Sequence, residues 1–265
     1  MLYQKSEKHQ IYETDRKAWI EQWKENFKKT PRSQLTPYTA KSIDNVQKTT
    51  VVLARYNENI DWIDHFPNVR FKVYNKGKSF DRGFSQNISV TELPNTGREG
   101  GTYVDYILEH YDTLPEKVLF SQADPTDHVP YYYDQIKAAL EGKVDTEGGY
   151  TPIGKLCVCP KWMVDVPIHG IYAMYYTLFA QVWDYDHYFP WGATMLVTRE
   201  TIRKRPLEFW KTLKLLINHR HGGPAARRAG APDVADATWG LEKCWPVIFD
   251  DGRTADNFSS LITKD

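Results

Sequence analysis

The chain has 265 residues, which is enough for one large α/β domain or two small ones with a substantial buried core. Its 34 basic residues balance 34 acidic ones, so no general basic surface is available for nucleic acid or anionic lipid, and any anion site must be built locally. No apolar run approaches the roughly 20 residues that span a bilayer, and the start, MLYQKSEKHQ, lacks a signal core. The sequence therefore predicts a soluble protein with no integral membrane segment and no nucleic-acid partner, and leaves peripheral membrane association open.

The cysteine and aromatic content indicates the cellular compartment and the kind of ligand. Cys157, Cys159 and Cys244 are too few and too odd in number for a disulfide framework, and the first two are too close for an ordinary bridge. A reducing, cytoplasmic compartment is therefore expected. Nine Trp and seventeen Tyr offer flat faces that suit sugar rings and nucleobases, although a large α/β core also uses such rings.

Residues 1–48 are predicted to form an N-terminal helical extension, and residues 49–265 the main domain. Ile11, Trp19, Trp23 and Phe27 recur at helical spacing, so an amphipathic helix that lies on the main body is expected. The stretch PRSQLTPYTAKS then serves as a connector.

From residue 49 onward, strands and helices are predicted to alternate. The predicted strands are VVLA, FKVYNKG, VLFSQADP and the first part of WGATMLVTRETIRKRP, and the predicted helices are GTYVDYILEHYDTL, YYYDQIKAALEG closed by Gly142, FWKTLKLLINHRH and WGLEKCWPVIFD. Residues 143–190 read as less regular, and GGPAARRAGAPDVAD as a loop. Alternation with short connections predicts an α/β, Rossmann-like, mostly parallel sheet with helices on both faces.

Polar side chains follow the first two predicted strands. VVLA is a buried kind of strand, whereas Arg55, Tyr56, Asn57 and Glu58 directly after it are too polar for such a strand to bury. In an open α/β sheet, ligands bind beyond the carboxyl ends of the strands, so these side chains are placed where chemistry is usually done.

The second strand exit is Asn75-Lys76-Gly77, in which glycine permits a sharp turn and the lysine can meet an anion. Before the next helix, Gly97, Arg98 and Glu99 offer backbone N–H groups and a cation for a phosphate, although glycines there more often form a plain turn.

A further strand exit reads SQADPTDH. It places Asp124, Asp127 and His128 within a few residues of one another. Carboxylate and imidazole groups at this spacing suit a divalent cation, and capping of a helix by an aspartate explains the same pattern equally well.

The segments VVLARYNENIDW, VYNKG, LPNTGREGGTYVDYIL, VLFSQADPTDH, FPWGATMLVTRETI and WGLEKCWPVIFD, over about residues 49–250, resemble in order and spacing a family of glycosyltransferase-like proteins of unknown function. That family looks like a divergent relative of the GT-A nucleotide-sugar transferases. The resemblance implies a UDP- or GDP-linked sugar donor, a glycan acceptor and a role in carbohydrate or polysaccharide biosynthesis. It assigns the donor contacts to Arg55, Tyr56, Asn57, Glu58, Asn75, Lys76, Gly97, Arg98, Glu99 and Gln122.

One departure from that family concerns the metal. The usual Asp-x-Asp is absent, and Gln122-Ala123-Asp124 stands in its place. Either Mn²⁺ or Mg²⁺ is held weakly with the nucleotide, by Asp124 with help from His128 or water, or the transferase is metal-independent. In the second case Arg55, Lys76 and Arg98 neutralise the diphosphate.

Sugar transfer with inversion needs a base that takes the proton of the acceptor hydroxyl. Glu242 is the first candidate, because it lies in a predicted helix between Trp239 and Trp245, whose rings would wall an acceptor sugar. The ordinary alternative is that it caps its helix or forms a salt bridge. Asp124 is the second candidate base. The predicted acceptor contacts are Trp191, Trp239, Trp245 and His128, with a core position as the alternative for Trp191.

Two other functions stay open on the sequence. A non-catalytic sugar or nucleotide-binding module would keep the fold and lose the reaction, and hydrolysis of a nucleotide sugar without acceptor would tell the two apart. A phosphoryl-transfer enzyme using GREGG as a phosphate loop is the weaker reading, since G-x-x-x-x-G-K-[ST] is absent.

Overall fold

The computed structural model describes residues 43–80, 86–124, 126, 132–144, 148–154, 156–159, 171–180, 187–218 and 235–249. The predicted amphipathic helix of the N-terminal extension, the connector and all but the last two residues of the predicted Gly- and Arg-rich loop lie outside these ranges. None of the helices within them is long and apolar enough to cross a membrane.

The described residues contain strands and helices in alternation. The strands are β1 (Thr49–Arg55), β2 (Arg70–Asn75), β3 (Ile88–Glu92), β4 (Lys117–Gln122), β5 (Tyr150–Pro152), β6 (Leu156–Cys159), β7 (His187–Pro190) and β8 (Met195–Thr198). The helices are α1 (Ile43–Lys48), α2 (Arg98–His110), α3 (Tyr132–Leu140), α4 (Ile171–Phe179), α5 (Arg199–Arg203), α6 (Leu207–Asn218) and α7 (Ala235–Ile248). Short 3₁₀ turns cover Asp61–His65 and Trp191–Ala193.

Six of the strands form a mixed sheet in the order β3-β2-β1-β4-β8-β5. β1 pairs in parallel with β2 and β4, and β2 pairs in parallel with β3. β8 is antiparallel to both β4 and β5, while β6 and β7 form a separate antiparallel pair. The parallel part has the strand order 3-2-1-4, in which the chain moves from one side of β1 to the other, so a topological switch point lies between β1 and β4.

The sheet is covered on both faces because the side chains of its central strands alternate between two cores. Val52 and Phe120 belong to a core that includes buried residues of α2, α6 and α7. Val51, Leu53 and Leu119 belong to the opposite core, with the turn Asp61–His65 and helix α3. The predicted α/β class, the mostly parallel sheet and the helices on both faces are therefore confirmed.

Two expectations need correction. β3 was not predicted, because its sequence ISVTE has no apolar run and its residues from Val90 to Glu92 are exposed at the edge of the sheet. Helix α2 begins at Arg98 rather than at residue 101 and ends at His110 rather than near Pro115. Gly97, the residue before the helix, has a φ of 67° in the left-handed region. The right-handed helical backbone therefore begins only after it.

Candidate functional site

The candidate site lies at the carboxyl edge of the parallel strands. The exits of β1, β2 and β4 reach this edge, and so does the start of α2, which follows β3. The turn Trp191–Ala193 joins them because β8 runs antiparallel to β4, so that Met195 at the start of β8 pairs with Phe120 near the end of β4. The Ser121 hydroxyl also lies 3.3 Å from that of Thr194, which attaches this turn to β4.

Glu242, the candidate base, reaches this edge from α7. Its Oε1 accepts a hydrogen bond of 2.8 Å from the backbone N–H of Gly192, and its side chain is half-buried. The carboxylate is thus fixed by a backbone donor of the turn Trp191–Ala193. The role of Glu242 as a base stays a prediction.

A second carboxylate, Glu99, lies in the first turn of α2, a helix that packs against α7, and the charge of Glu242 acts on it. Gly100 allows this contact, since a Cβ atom there would lie 2.6 Å from Cδ2 of Leu241. Burial, and after it the negative charge of Glu242, raises the pKa of Glu99 to about 7. The ionisation of Glu99 therefore responds to a carboxylate on the neighbouring helix.

Two buried polar atoms follow these glutamates along their helices. Tyr103 is one helical turn after Glu99 and Trp245 nearly one turn after Glu242, and their ring centroids are 6.0 Å apart. Neither the Tyr103 hydroxyl nor Nε1 of Trp245 has a hydrogen-bond partner among the described residues. Burial raises the pKa of Tyr103, and the charges of both glutamates add to this effect.

The backbone beside both glutamates is strained. Gly97 and Arg98 have φ values of 67° and 46°, and Gly192 and Ala193 have 76° and 49°. Among the described residues only Arg98, Ala180 and Ala193 combine a side chain with a positive φ, and two of these three lie beside Glu99 or in the turn that holds Glu242. Non-glycine residues in the left-handed region cost energy and concentrate at functional sites, so this placement supports the site assignment.

Lys76 braces the turn before α2. Its Nζ donates to the backbone carbonyls of Thr96 and Arg98, each at 2.6 Å, and its side chain is buried. Burial lowers its pKa to about 8, with Asp105 opposing this shift. The expectation that Lys76 faces a diphosphate does not match this geometry, because its ammonium group points at the protein's own backbone.

Arg55 also differs from expectation. Its guanidinium donates to the carbonyl of Glu58 at 2.9 Å and to Oδ1 of Asn75 at 2.6 Å, and it stacks on Phe80 at 3.9 Å from the ring centroid. Asn75 is buried and donates in turn to both carboxylate oxygens of Glu92. These expected donor contacts instead tie together the exits of β1, β2 and β3.

The rest of the first strand exit is more accessible. Oε2 of Glu58 accepts from the backbone N–H groups of Tyr56 and Asn57, and Oδ1 of Asn57 accepts from the N–H of Lys78. The ring of Tyr56 is 51% exposed. Arg98, on the far side of the edge, is exposed as well. Of the predicted donor residues, these two present the largest accessible side chains.

The expected metal position is only partly described. Gln122 ends β4 and is half-buried, and Oδ1 of Asp124 accepts from the hydroxyl of Thr126 at 2.6 Å, as in a turn. His128 lies outside the described residues. Within the part of the chain that the structure describes, no three His, Cys, Asp or Glu residues are grouped as metal ligands. These residues alone do not fit a dedicated metal site.

The residues predicted to contact the acceptor lie in different environments. Trp245 is wholly buried and stacks on Phe249 with centroids 5.5 Å apart, so it belongs to the core and offers no open face to a sugar. Trp191 is half-buried in its turn beside the amide that binds Glu242. Trp239 lies in α7, but its side chain is outside the description. His128 is outside it as well.

Three features of the site were not found from the sequence. These are the Gly192 amide as partner of Glu242, the Tyr103 hydroxyl and the effect of Glu242 on Glu99. The run GREGG held a signal for the last of these, since two adjacent glycines inside a helix indicate a close approach of another element. Nothing in the sequence marked Tyr103.

The sequence model of one family, described as "Protein of unknown function (DUF3431)", matches residues 50–257, and the chain belongs to this family. Neither the curated proteins nor the solved structures gave a match.

Proposed function

We propose that this member of the DUF3431 family is a glycosyltransferase that moves a sugar from a UDP- or GDP-linked donor to a glycan acceptor with inversion, using Glu242 as base. One observation carries the proposal. Glu242 is held by the Gly192 amide at the carboxyl edge of the sheet, its charge acts on a second carboxylate, Glu99, and the turn that holds it contains Ala193 at a positive φ. A base in a fixed position, beside the switch point where ligands bind in such sheets, is what transfer to a hydroxyl requires.

The donor side of the proposal rests on accessible groups near the switch point. Tyr56 follows β1 and exposes about half of its side chain, which suits stacking on a nucleobase. Arg98 is exposed at the start of α2 and supplies a charge for the diphosphate. The GT-A assignment is part of the same proposal and is supported by the parallel 3-2-1-4 half of the sheet.

The transfer step conserves atoms and charge. The acceptor hydroxyl gives its proton to Glu242 while its oxygen forms a bond to the anomeric carbon. The bond from that carbon to the diphosphate oxygen breaks, and its electron pair leaves with the nucleoside diphosphate. The hydrogen bond from Gly192 holds the carboxylate of Glu242 in the position from which it accepts the proton.

The first prediction is that Glu242→Gln abolishes transfer without disturbing donor binding. Glutamine keeps the size and the hydrogen bond to Gly192 but removes basicity, so turnover should fall by roughly a hundredfold to ten-thousandfold. The measurement is a transfer assay over a panel of UDP- and GDP-sugars and glycan acceptors, with and without manganese. Thermal shift with UDP and GDP reports on binding in parallel.

Glu200→Gln is the matched control, because Glu200 is an exposed glutamate in the first turn of another helix, α5. It should keep full turnover. Arg98→Ala should weaken the thermal shift produced by the nucleotide. Stabilisation by neither nucleotide would contradict the donor assignment, and full turnover in Glu242→Gln would transfer the role of base to Asp124.

A non-catalytic binding module is the second candidate, and one observation favours it. Arg55 and Lys76 donate hydrogen bonds to the protein's own loops. Fewer cationic side chains are therefore available to stabilise a departing diphosphate. In that case a nucleotide sugar would raise the melting temperature, but neither transfer nor slow hydrolysis without acceptor would be detected.

A further inference from the structure

Lys76 is a buried cation at the exit of β2 that binds the loop before α2. Its Nζ donates a hydrogen bond of 2.6 Å to the backbone carbonyl of Thr96 and another of 2.6 Å to that of Arg98. Only 8% of the residue is exposed. Charge-assisted hydrogen bonds are stronger than neutral ones, so Lys76 fixes the two peptide groups that begin and end the segment Gly97–Arg98.

The segment between these two carbonyls is strained. Gly97 and Arg98 have φ values of 67° and 46°, both in the left-handed region. Glycine adopts this region readily, whereas the Cβ atom of an arginine makes it costly. The hydrogen bonds from Lys76 therefore stabilise a backbone conformation that Arg98 would not adopt by itself.

The surroundings of Lys76 show that its partners are backbone groups. Gly101 leaves the room for it, since a Cβ atom there would lie 3.4 Å from Nζ of Lys76 and 3.0 Å from the carbonyl oxygen of Thr96. Asp105 forms an ion pair with Lys214 at 2.5 Å. Within the described part of the chain, Lys76 forms no ion pair with a carboxylate, so its ammonium group serves to hold the loop.

We propose that Lys76 is a positioning residue for an anion site, and that it holds Arg98 in the left-handed conformation that directs the guanidinium to the diphosphate of the donor. The torsion angles of a residue set the direction in which its side chain leaves the backbone, so a shift of residue 98 to the right-handed region would turn the guanidinium elsewhere. Lys76 acts through Arg98 and does not touch the ligand. The link to the diphosphate rests on the proposed function, whereas the hold of Lys76 on the loop does not.

The hold on the loop is tested without any ligand by NMR on the full chain. A residue with positive φ has its amide proton close to its own Hα, which gives a strong NOE between the two. Arg98 should show this strong NOE in the wild-type protein and lose it in Lys76→Met, which keeps a long side chain but removes all three N–H donors. Lys72→Met makes the same change four residues earlier on β2 and should leave the NOE of Arg98 intact.

A second variant covers the case in which Lys76→Met does not fold. Lys76→Gln keeps N–H donors on a side chain that is one atom shorter and carries no charge, so both hydrogen bonds should weaken and the NOE of Arg98 should decrease. A folded Lys76→Met or Lys76→Gln in which this NOE is as strong as in the wild-type protein would overturn the proposal.

Titration calorimetry with UDP and GDP tests the effect on the anion site. Arg98→Ala should weaken nucleotide binding about tenfold, as expected for the loss of one charge-assisted contact, and Lys76→Met should weaken it about as much. Because Lys76 acts through Arg98, adding Lys76→Met to Arg98→Ala should cause no further loss. Lys72→Met should bind like the wild-type protein.

The two measurements separate the proposal from the function on which it rests. If Lys76→Met weakens binding by the same factor with and without Arg98→Ala, Lys76 does not act through Arg98 and the proposal fails. If the wild-type protein binds neither nucleotide, the donor assignment fails, and the NOE of Arg98 still decides whether Lys76 holds the loop. If nucleotide binds and the NOE is unchanged in Lys76→Met, the positioning role fails and the function stands.

Discussion

Gly77 shows how a single residue fixes the loops at the edge of the sheet. A Cβ atom at this position would lie 1.3 Å from the carbonyl oxygen of Tyr56 and 2.5 Å from Oδ1 of Asn57. The same two loops are joined by the hydrogen bond from the N–H of Lys76 to the carbonyl of Arg55 and by that from Lys78 to Asn57. Glycine is required here by close approach of another backbone, not by its own torsion angles.

We therefore predict that Gly77→Ala lowers the free energy of unfolding by about 3 kcal/mol or more, since backbone must move to admit the methyl group. The control is Gly142→Ala after helix α3. Gly142 is exposed with φ of 71°, so its alanine variant should lose only about 1 to 2 kcal/mol from backbone strain. Urea denaturation of both variants gives the comparison, and equal losses would refute the steric explanation.

At the level of residues, it was easier to predict which residues end a strand than where their side chains point. The strand exits at Arg55, Lys76 and Gln122 do meet at one edge, because an apolar run that ends abruptly can be read from sequence. Where Arg55 and Lys76 would point was not readable, because most of their partners, an asparagine and two backbone carbonyls, lie 20 residues or more away. Trp245 was misjudged for the same reason, since burial depends on α2 packing over it.

Among the elements, the crossing of α2 with α7 depends on a glycine. Gly100 sits against Leu241 at this crossing, and Gly97 sits against Ile217 of α6, where a Cβ atom would lie 2.5 Å from the Ile217 Cγ2. The glycines of GREGG thus permit α2 to approach two other helices. Their role as a phosphate loop was an expectation, and packing accounts for them without a ligand.

We predict that Gly100→Ala and Leu241→Ala are each destabilising and that their effects are coupled. The first overfills the crossing and should cost about 1 to 3 kcal/mol, while the second empties it and should cost about 2 to 5 kcal/mol. In the double variant, the added methyl group occupies space that the leucine has left. The loss should therefore fall short of the sum by about 0.5 kcal/mol or more.

A double-mutant cycle measured by urea denaturation tests this contact. Pairing Gly100→Ala with Leu213→Ala supplies the control, because Leu213 is a buried leucine on α6 rather than α7. That pair should be closer to additive. If the losses in free energy of unfolding for Gly100→Ala and Leu241→Ala were strictly additive, the result would show that the two helices move apart to admit the methyl group.

For elements, sequence patterns were reliable where burial is strong and local. β1, β4 and β8 contain continuous apolar runs and were found, as were the helices α3, α6 and α7. β3 was not predicted, because this edge strand with exposed residues has neither an apolar run nor a regular alternation of apolar and polar residues. Strand order and the antiparallel direction of β8 are set by pairing between distant segments, which no local pattern reports.

For the whole molecule, the carboxyl edge concentrates groups whose ionisation differs between the folded and the unfolded chain. Glu99 has a pKa raised to about 7 in the folded protein, mainly by burial, so the folded state binds more protons between its ordinary value of 4.5 and pH 7. Stability from this group is therefore lost as pH rises through that window. Lys76 has a pKa lowered to about 8 by burial, so the unfolded state binds more protons between pH 8 and 10.5, and stability rises with pH there.

The two contributions oppose folding at full strength together between about pH 7 and pH 8, where Glu99 is ionised and Lys76 is still protonated. We predict that Glu99→Gln is stabilised relative to the wild-type protein at pH 8, and that this difference shrinks as the pH falls from 7 to 4.5. A gain of roughly 1 to 3 kcal/mol at pH 8 is expected for a half-buried carboxyl with such a shift. Urea denaturation at half-unit steps of pH measures it, with Glu208→Gln as the variant whose difference from wild type should stay flat. A difference for Glu99→Gln that is flat as well would mean that Glu99 ionises freely in the folded protein, because a stability change that depends on pH requires a change in proton binding on folding.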